Sequence, residues 1–151
     1  MSKPQALWFM NGRVTIDVAQ ADNDDGISVI THEVPSGDGP PLHVHREEDE
    51  IFVVLEGKLK LTVGEESLTA EPGGTLLINR GVPHGYKVVS PGKARFLTIT
   101  RGGFENLVRQ SSRPAGGDGL PPLAEPTPDQ KEKLAAIASA NGVDMVGPPI
   151  D

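Results

Sequence analysis

Short apolar runs broken by turn residues follow one another from Ala6 to about Gly102. "ALWFM" and "RVTIDV" flank Asn11-Gly12, a pair that accepts the positive φ angles of a type I′ turn, so a hairpin is predicted there. "ISVITHEV", "KLKLTV", "ESLTA", "TLLIN", "HGYKVVS" and "ARFLTITRG" read as further strands. "KLKLTV" alternates, placing Leu59, Leu61 and Val63 inward and its lysines outward. On "ARFLTIT", Phe96, Thr98 and Thr100 share one face. "EIFVVLEG" does not alternate: Phe52 and Val54 on one face, and Ile51, Val53 and Leu55 on the other, are all apolar. Such a strand needs a cover outside as well as a core within, supplied by the N-terminal hairpin or by a second copy of the chain.

The texture changes after about residue 111. "SSRPAGGDGLPPLAEP" is a Pro/Gly-rich arm expected to run extended over the surface. "TPDQKEKLAAIASANG" is the one helix the pattern supports, about residues 128–141. Thr127 caps it, Pro128 takes the first helical position, Gln130 closes a capping box and Asn141-Gly142 ends it. The tail "VDMVGPPI" is apolar enough to dock. The expected division is a β-barrel domain over 1–111 and an arm with its helix over 112–151, packing on the barrel.

Composition sharpens this picture at three points. Among 151 residues there are 18 glycines and 14 prolines, which favours an all-β domain with many tight turns over a helical bundle. The net charge of −7 argues against nucleic acid or an anionic membrane as a partner. The absence of cysteine excludes disulfides, thiolate metal sites and cysteine nucleophiles. With no apolar stretch near ~20 residues, a cytoplasmic protein is expected.

The chemistry concentrates in "GDGPPLHVHREEDEIFVVLEG", residues 37–57. His43 and His45 are separated by one residue, so a strand projects both to the same side, about 7 Å apart at Cα. His84 follows a Gly-Val-Pro turn farther on. The spacing Gly37-x5-His43-x-His45-x4-Glu50-x6-Gly57 resembles the first motif of the cupin family at every defined position. Gly73, Gly81 and His84 resemble the second motif, with Asn79 where a proline is usual and Val88 where an asparagine is usual. The resemblance covers roughly residues 28–102. The "PPLHVHREEDE" run, "GGFENLVR" and "NGVDMVGPP" are further similar to small single-domain bacterial cupins of quercetin-dioxygenase-like type.

That resemblance implies a double-stranded β-helix barrel with a short C-terminal helix and arm. It implies a mononuclear site on His43, His45, Glu50 and His84. Glu47, Glu48 and Asp49 would then lie on the connecting turn, free to solvate. Three imidazoles and one carboxylate suit a single divalent transition metal, iron or manganese first, with nickel, zinc, cobalt and copper compatible. Four protein ligands leave a position open for chemistry. The implied function is a metal-dependent dioxygenase acting on a small enolisable or aromatic, flavonol-like substrate. A non-redox isomerase, cyclase or lyase and a non-catalytic binding module are the alternatives. Glu50 is the expected base, its pKa raised by apolar neighbours, and Tyr86 the expected hydrogen-bond donor in the pocket. His32 either lines the pocket or sits outside as an ordinary strand residue, the second reading being preferred, and Trp8 is read as a packing anchor. A homodimer is expected from the outer face of "EIFVVLEG".

Overall fold

Alternating apolar positions build two antiparallel sheets that face each other across one core, in a computed structural model that describes residues 4–151. The first three residues of the expected barrel lie outside the described residues. The strands run in order β1 (Gln5–Phe9), β2 (Gly12–Val18), β3 (Ser28–Pro35), β4 (Pro41–His45), β5 (Glu50–Glu56) and β6 (Leu59–Val63). β7 (Glu66–Ala70), β8 (Thr75–Ile78), β9 (His84–Val88) and β10 (Lys93–Thr100) complete the series. Helix α1 (Phe104–Ser111), a short β11 (Arg113–Pro114), helix α2 (Pro128–Ala140) and β12 (Val143–Pro149) follow. One sheet has the order β11-β1-β2-β3-β10-β5-β8 and the other β12-β4-β9-β6-β7. This is the jelly-roll barrel with a short C-terminal helix that the motifs imply.

The core between the sheets follows from the alternation. Phe52 and Val54 of β5 and Phe96 of β10 meet Leu59 and Leu61 of β6 and Val88 of β9, all at most 2% exposed. Burying one such side chain is worth about 1.5–3 kcal/mol. A second cluster, Leu7, Val14, Ile16 and Ile30, packs beneath Phe104 and Val108 of α1.

Four details depart from the sequence reading. In the first hairpin Phe9 pairs with Gly12, so the turn residues are Met10 and Asn11, and Met10 takes the positive φ of 56°. Gly12 is needed for another reason: a Cβ there would lie 2.9 Å from the Glu33 carbonyl oxygen. "GGFENLVR" contains α1, a second helix. The apolar tail is a strand, β12, which pairs with β4. The hairpin β1–β2 extends the larger sheet beside β3 and does not cover β5.

The C-terminal helix forms as its caps dictate. The Thr127 hydroxyl accepts from the Gln130 backbone N–H (3.1 Å) while the Gln130 side chain accepts from the Thr127 N–H (2.9 Å). The arm before it is tied along the first hairpin. Trp8 Nε1 donates to the Gly119 carbonyl (3.0 Å), Asn11 exchanges a pair of hydrogen bonds with Ala124, and Arg13 donates to Gly117. The Arg113 guanidinium also lies over the Trp8 ring. Trp8 is thus an anchor for the arm.

Candidate metal centre

His43 and His45 sit on β4 and His84 on β9, both in the smaller sheet, while Glu50 opens β5 in the larger one. The pairing of β4 with β9 sets His43 directly opposite His84. All four residues are buried, and one donor atom from each lies within 4.8 Å of the others. Glu50 Oε1 is 3.0 Å from His84 Nε2 and 3.6 Å from His45 Nε2.

The ring orientations are fixed from outside the cluster. His43 Nδ1–H donates to the Pro41 carbonyl (2.8 Å) and His84 Nδ1–H to the Val82 carbonyl (3.0 Å). A carbonyl oxygen only accepts, so both rings carry a proton on Nδ1 and turn Nε2 inward, where His84 Nε2 is hydrogen-bonded to Glu50 Oε1 (3.0 Å). His45 Nδ1–H donates to Glu48 Oε2 (3.0 Å), and its buried Nε2 has no hydrogen-bond partner among the described residues. Three inward-turned ring nitrogens and a carboxylate converging in a buried site fit a cation, and this outward tethering of Nδ1 is how metal-binding histidines are held. The four residues could therefore hold a metal ion.

Electrostatics agree with that arrangement. Burial alone would raise the Glu50 carboxyl, but His45, His84 and His43 together pull it down to about 2. The expected upward shift of Glu50 is thus overturned, because the imidazoles outweigh its apolar neighbours. Burial and the neighbouring His84 and His45 push His43 down to about 3. Burial also opposes charge on His45, yet Glu50 and Glu48 carry its pKa above the ordinary value.

The cluster opens on a cavity of about 60 Å³ between the sheets, reached by His43 and Glu50. Tyr86 lines it, its ring edge-on to Phe96 (5.1 Å) and Phe52 (5.9 Å). No hydrogen bond engages its hydroxyl among the described residues. Burial, with the charges of Asp38 and Glu50, raises its pKa, so the hydroxyl stays protonated. The loop bearing Asp38 runs so close to β9 that a Cβ on Gly39 would fall 1.9 Å from the Tyr86 carbonyl oxygen, and only glycine fits.

Residues 30–100 match the Cupin domain family. The chain is a member of the cupin superfamily. Over 146 residues it is 30% identical to the quercetin 2,3-dioxygenase of Bacillus subtilis (strain 168), covering 95% of this cupin and 41% of that protein. It thus spans about two fifths of that relative's length. Its fold is similar to that of the polyketide cyclase RemF from Streptomyces resistomycificus, at 25% identity and a TM-score of 0.54, covering 66% of this chain and 69% of the other. It is also similar to a predicted oxalate decarboxylase from Thermotoga maritima, at 16% identity and a TM-score of 0.58, covering 66% and 91%.

Two residues of this cupin's site have other places than the sequence reading gave them. Glu48 is not a solvated turn residue: it is 3% exposed, receives His45 Nδ1–H, and accepts from the Gly102 N–H (2.8 Å) and the Phe104 N–H (3.1 Å). His32 lies inside, on the cavity wall. Its ring stacks on Phe96 at 4.9 Å and on Phe104 at 6.0 Å, and its Nε2 is hydrogen-bonded to the Thr98 hydroxyl at 2.8 Å. Burial, partly offset by Glu50, pushes His32 down to about 4 and keeps it neutral. Its phase was legible, since Ser28, Ile30, His32 and Val34 alternate inward along β3. Nothing local to Glu48 announced its role.

Proposed function

We propose that this cupin is a metal-dependent dioxygenase acting on a small enolisable or aromatic compound. The observation that carries the reading is the convergence of four inward-turned donor atoms, with tethered rings behind them and an apolar cavity in front. His43, His45, Glu50 and His84 would hold one divalent transition metal, iron or manganese ahead of nickel, zinc, cobalt and copper. Bound there, the ion would supply a redox centre for dioxygen and a positive charge that acidifies a neighbouring substrate hydroxyl.

The chain's own residues do the rest. Phe52 and Phe96 wall the cavity and keep water away from the reacting carbon. Glu50 stays ionised at neutral pH and is the acceptor for a proton leaving an enolisable substrate. The Tyr86 hydroxyl, without a partner of its own, donates a hydrogen bond to an oxygen on which charge develops. The same hydroxyl favours a second reading: a non-redox isomerase or cyclase needs a proton donor in this place, and the fold resembles a polyketide cyclase.

Elemental analysis of protein purified without added metal or affinity nickel, followed by oxygen uptake with a panel of enolisable compounds, tests the proposal. Oxygen consumed in step with product supports the dioxygenase. Product without oxygen uptake selects the second reading. Tight binding without product makes the protein a binding module and overturns both enzymatic readings.

A further inference from the structure

The cavity wall divides into two parts of different origin. The part beside the metal cluster comes from the barrel that matches the cupin family, with His32, Phe52, Tyr86 and Phe96 prominent. The other part comes from elements outside residues 30–100. Phe9 and Met10 reach in from the tip of the first hairpin, Leu134 from α2, and Met145 from β12. Met10 keeps a positive φ of 56°, a conformation that costs a non-glycine residue and persists only where surrounding contacts hold it. The Asn11–Ala124 hydrogen-bond pair fastens that tip to the arm, and the arm leads directly into α2. The hairpin tip and the arm leading into α2 are therefore joined to each other.

The space they leave is about 60 Å³. At roughly 30 Å³ for each water molecule in the liquid, that is room for about two water molecules. Pockets for drug-sized ligands run to ~300–1,000 Å³. A three-ring flavonol does not fit beside the cluster. The lining is carbon-rich, with Met10 and Leu134 among it, which suits a guest with an oxygen-bearing end and a short hydrocarbon body.

Resting on the reading that the cluster holds a metal, we propose that this site takes compact chelating substrates, short enolisable carbonyl compounds with two neighbouring oxygens, and excludes flavonols. The limit is set by Met10 and Leu134, both from outside the residues that match the family model, and these two are specificity-determining positions.

Cobalt(II)-loaded protein and two hydroxamates test this. Both carry the same chelating group, but acetohydroxamate has a methyl where benzohydroxamate has a phenyl ring. Affinity is read from the cobalt d–d absorption. The wild-type protein should bind acetohydroxamate tighter by about tenfold or more, the expected cost of forcing a ring into a filled wall. Met10→Ala and Leu134→Ala, made separately, should each narrow that ratio severalfold by tightening benzohydroxamate binding, while cobalt uptake and the circular dichroism spectrum report an intact fold. Equal affinity of the wild type for both ligands overturns the proposal. A large ratio that neither variant changes overturns the assignment to these residues. Failure to take up cobalt, seen before any hydroxamate is added, overturns the metal reading beneath it.

Discussion

Glu48 shows how one carboxylate joins the site to the rest of the molecule. It holds His45 Nδ1 on one side and the backbone entering α1 on the other. We expect Glu48→Gln to weaken metal binding by about 10–100-fold, the usual cost of losing such an outer partner. A zinc or cobalt titration checks this, with Glu47→Gln as the unchanged control. His32 governs a pH effect. Its imidazole takes up a proton near 6.5 in the unfolded chain and near 4 in the fold. Between those values the unfolded state binds more protons, so the stability that its burial permits is lost as pH falls from 6.5 towards 4. His43, pushed down to about 3, acts with the same sign. In metal-free protein, His32→Gln should remove about 1.4 kcal/mol per pH unit from the slope between pH 6.5 and 4. Urea unfolding at a series of pH values reads it directly, and an unaltered slope would contradict the buried neutral His32.

At the scale of elements, the strand bearing two of the histidines is supported from the C-terminus. Val143 pairs with His45 and Met145 with His43, so β12 holds β4 along the edge opposite β9. Arg46 donates to both Asp144 and the Ser139 carbonyl, closing the same seam. Removing residues 143–151 should therefore lower metal affinity more than it lowers the urea midpoint. Calorimetric metal titration beside an unfolding curve checks this, and equal losses in both would assign β12 a general structural part only. Helix α1 is held by Glu105, which is buried and accepts from the Ser28 hydroxyl (2.8 Å), the Gln20 N–H (2.9 Å) and Arg109 (3.1 Å). The sequence pattern missed this helix for a physical reason. It has eight residues, its N-cap Gly103 offers no side-chain cap, and its apolar residues Phe104, Leu107 and Val108 make barely one turn of periodicity. The longer α2 announced itself through its capping box, a local signal that needs no tertiary partner.

For the whole molecule, the outer face of the larger sheet is the open question that β5 raised. Ile51, Val53 and Leu55 are half-buried there and Leu77 of β8 is 60% exposed. The first hairpin lies elsewhere in the same sheet, which leaves a second copy of the chain as the cover we propose. Sedimentation equilibrium should show a dimer that Leu77→Asp shifts towards monomer, and a monomer at all concentrations would remove the proposal. Among the described residues no helix is long and apolar enough to cross a membrane. What the sequence by itself determined was everything written at short range. Period-two alternation set most strands, caps set α2, and motif spacing marked His43, His45, Glu50 and His84 as the four residues that meet. The tertiary structure alone decided what depends on distant partners. It buried Glu48 against residues 54 and 56 positions away, and it laid the tail along β4. It also narrowed the cavity with a hairpin tip and a C-terminal helix. Such contacts arise only when sheets close on one another, and no local pattern of apolar and polar residues encodes which distant backbone N–H a carboxylate will find.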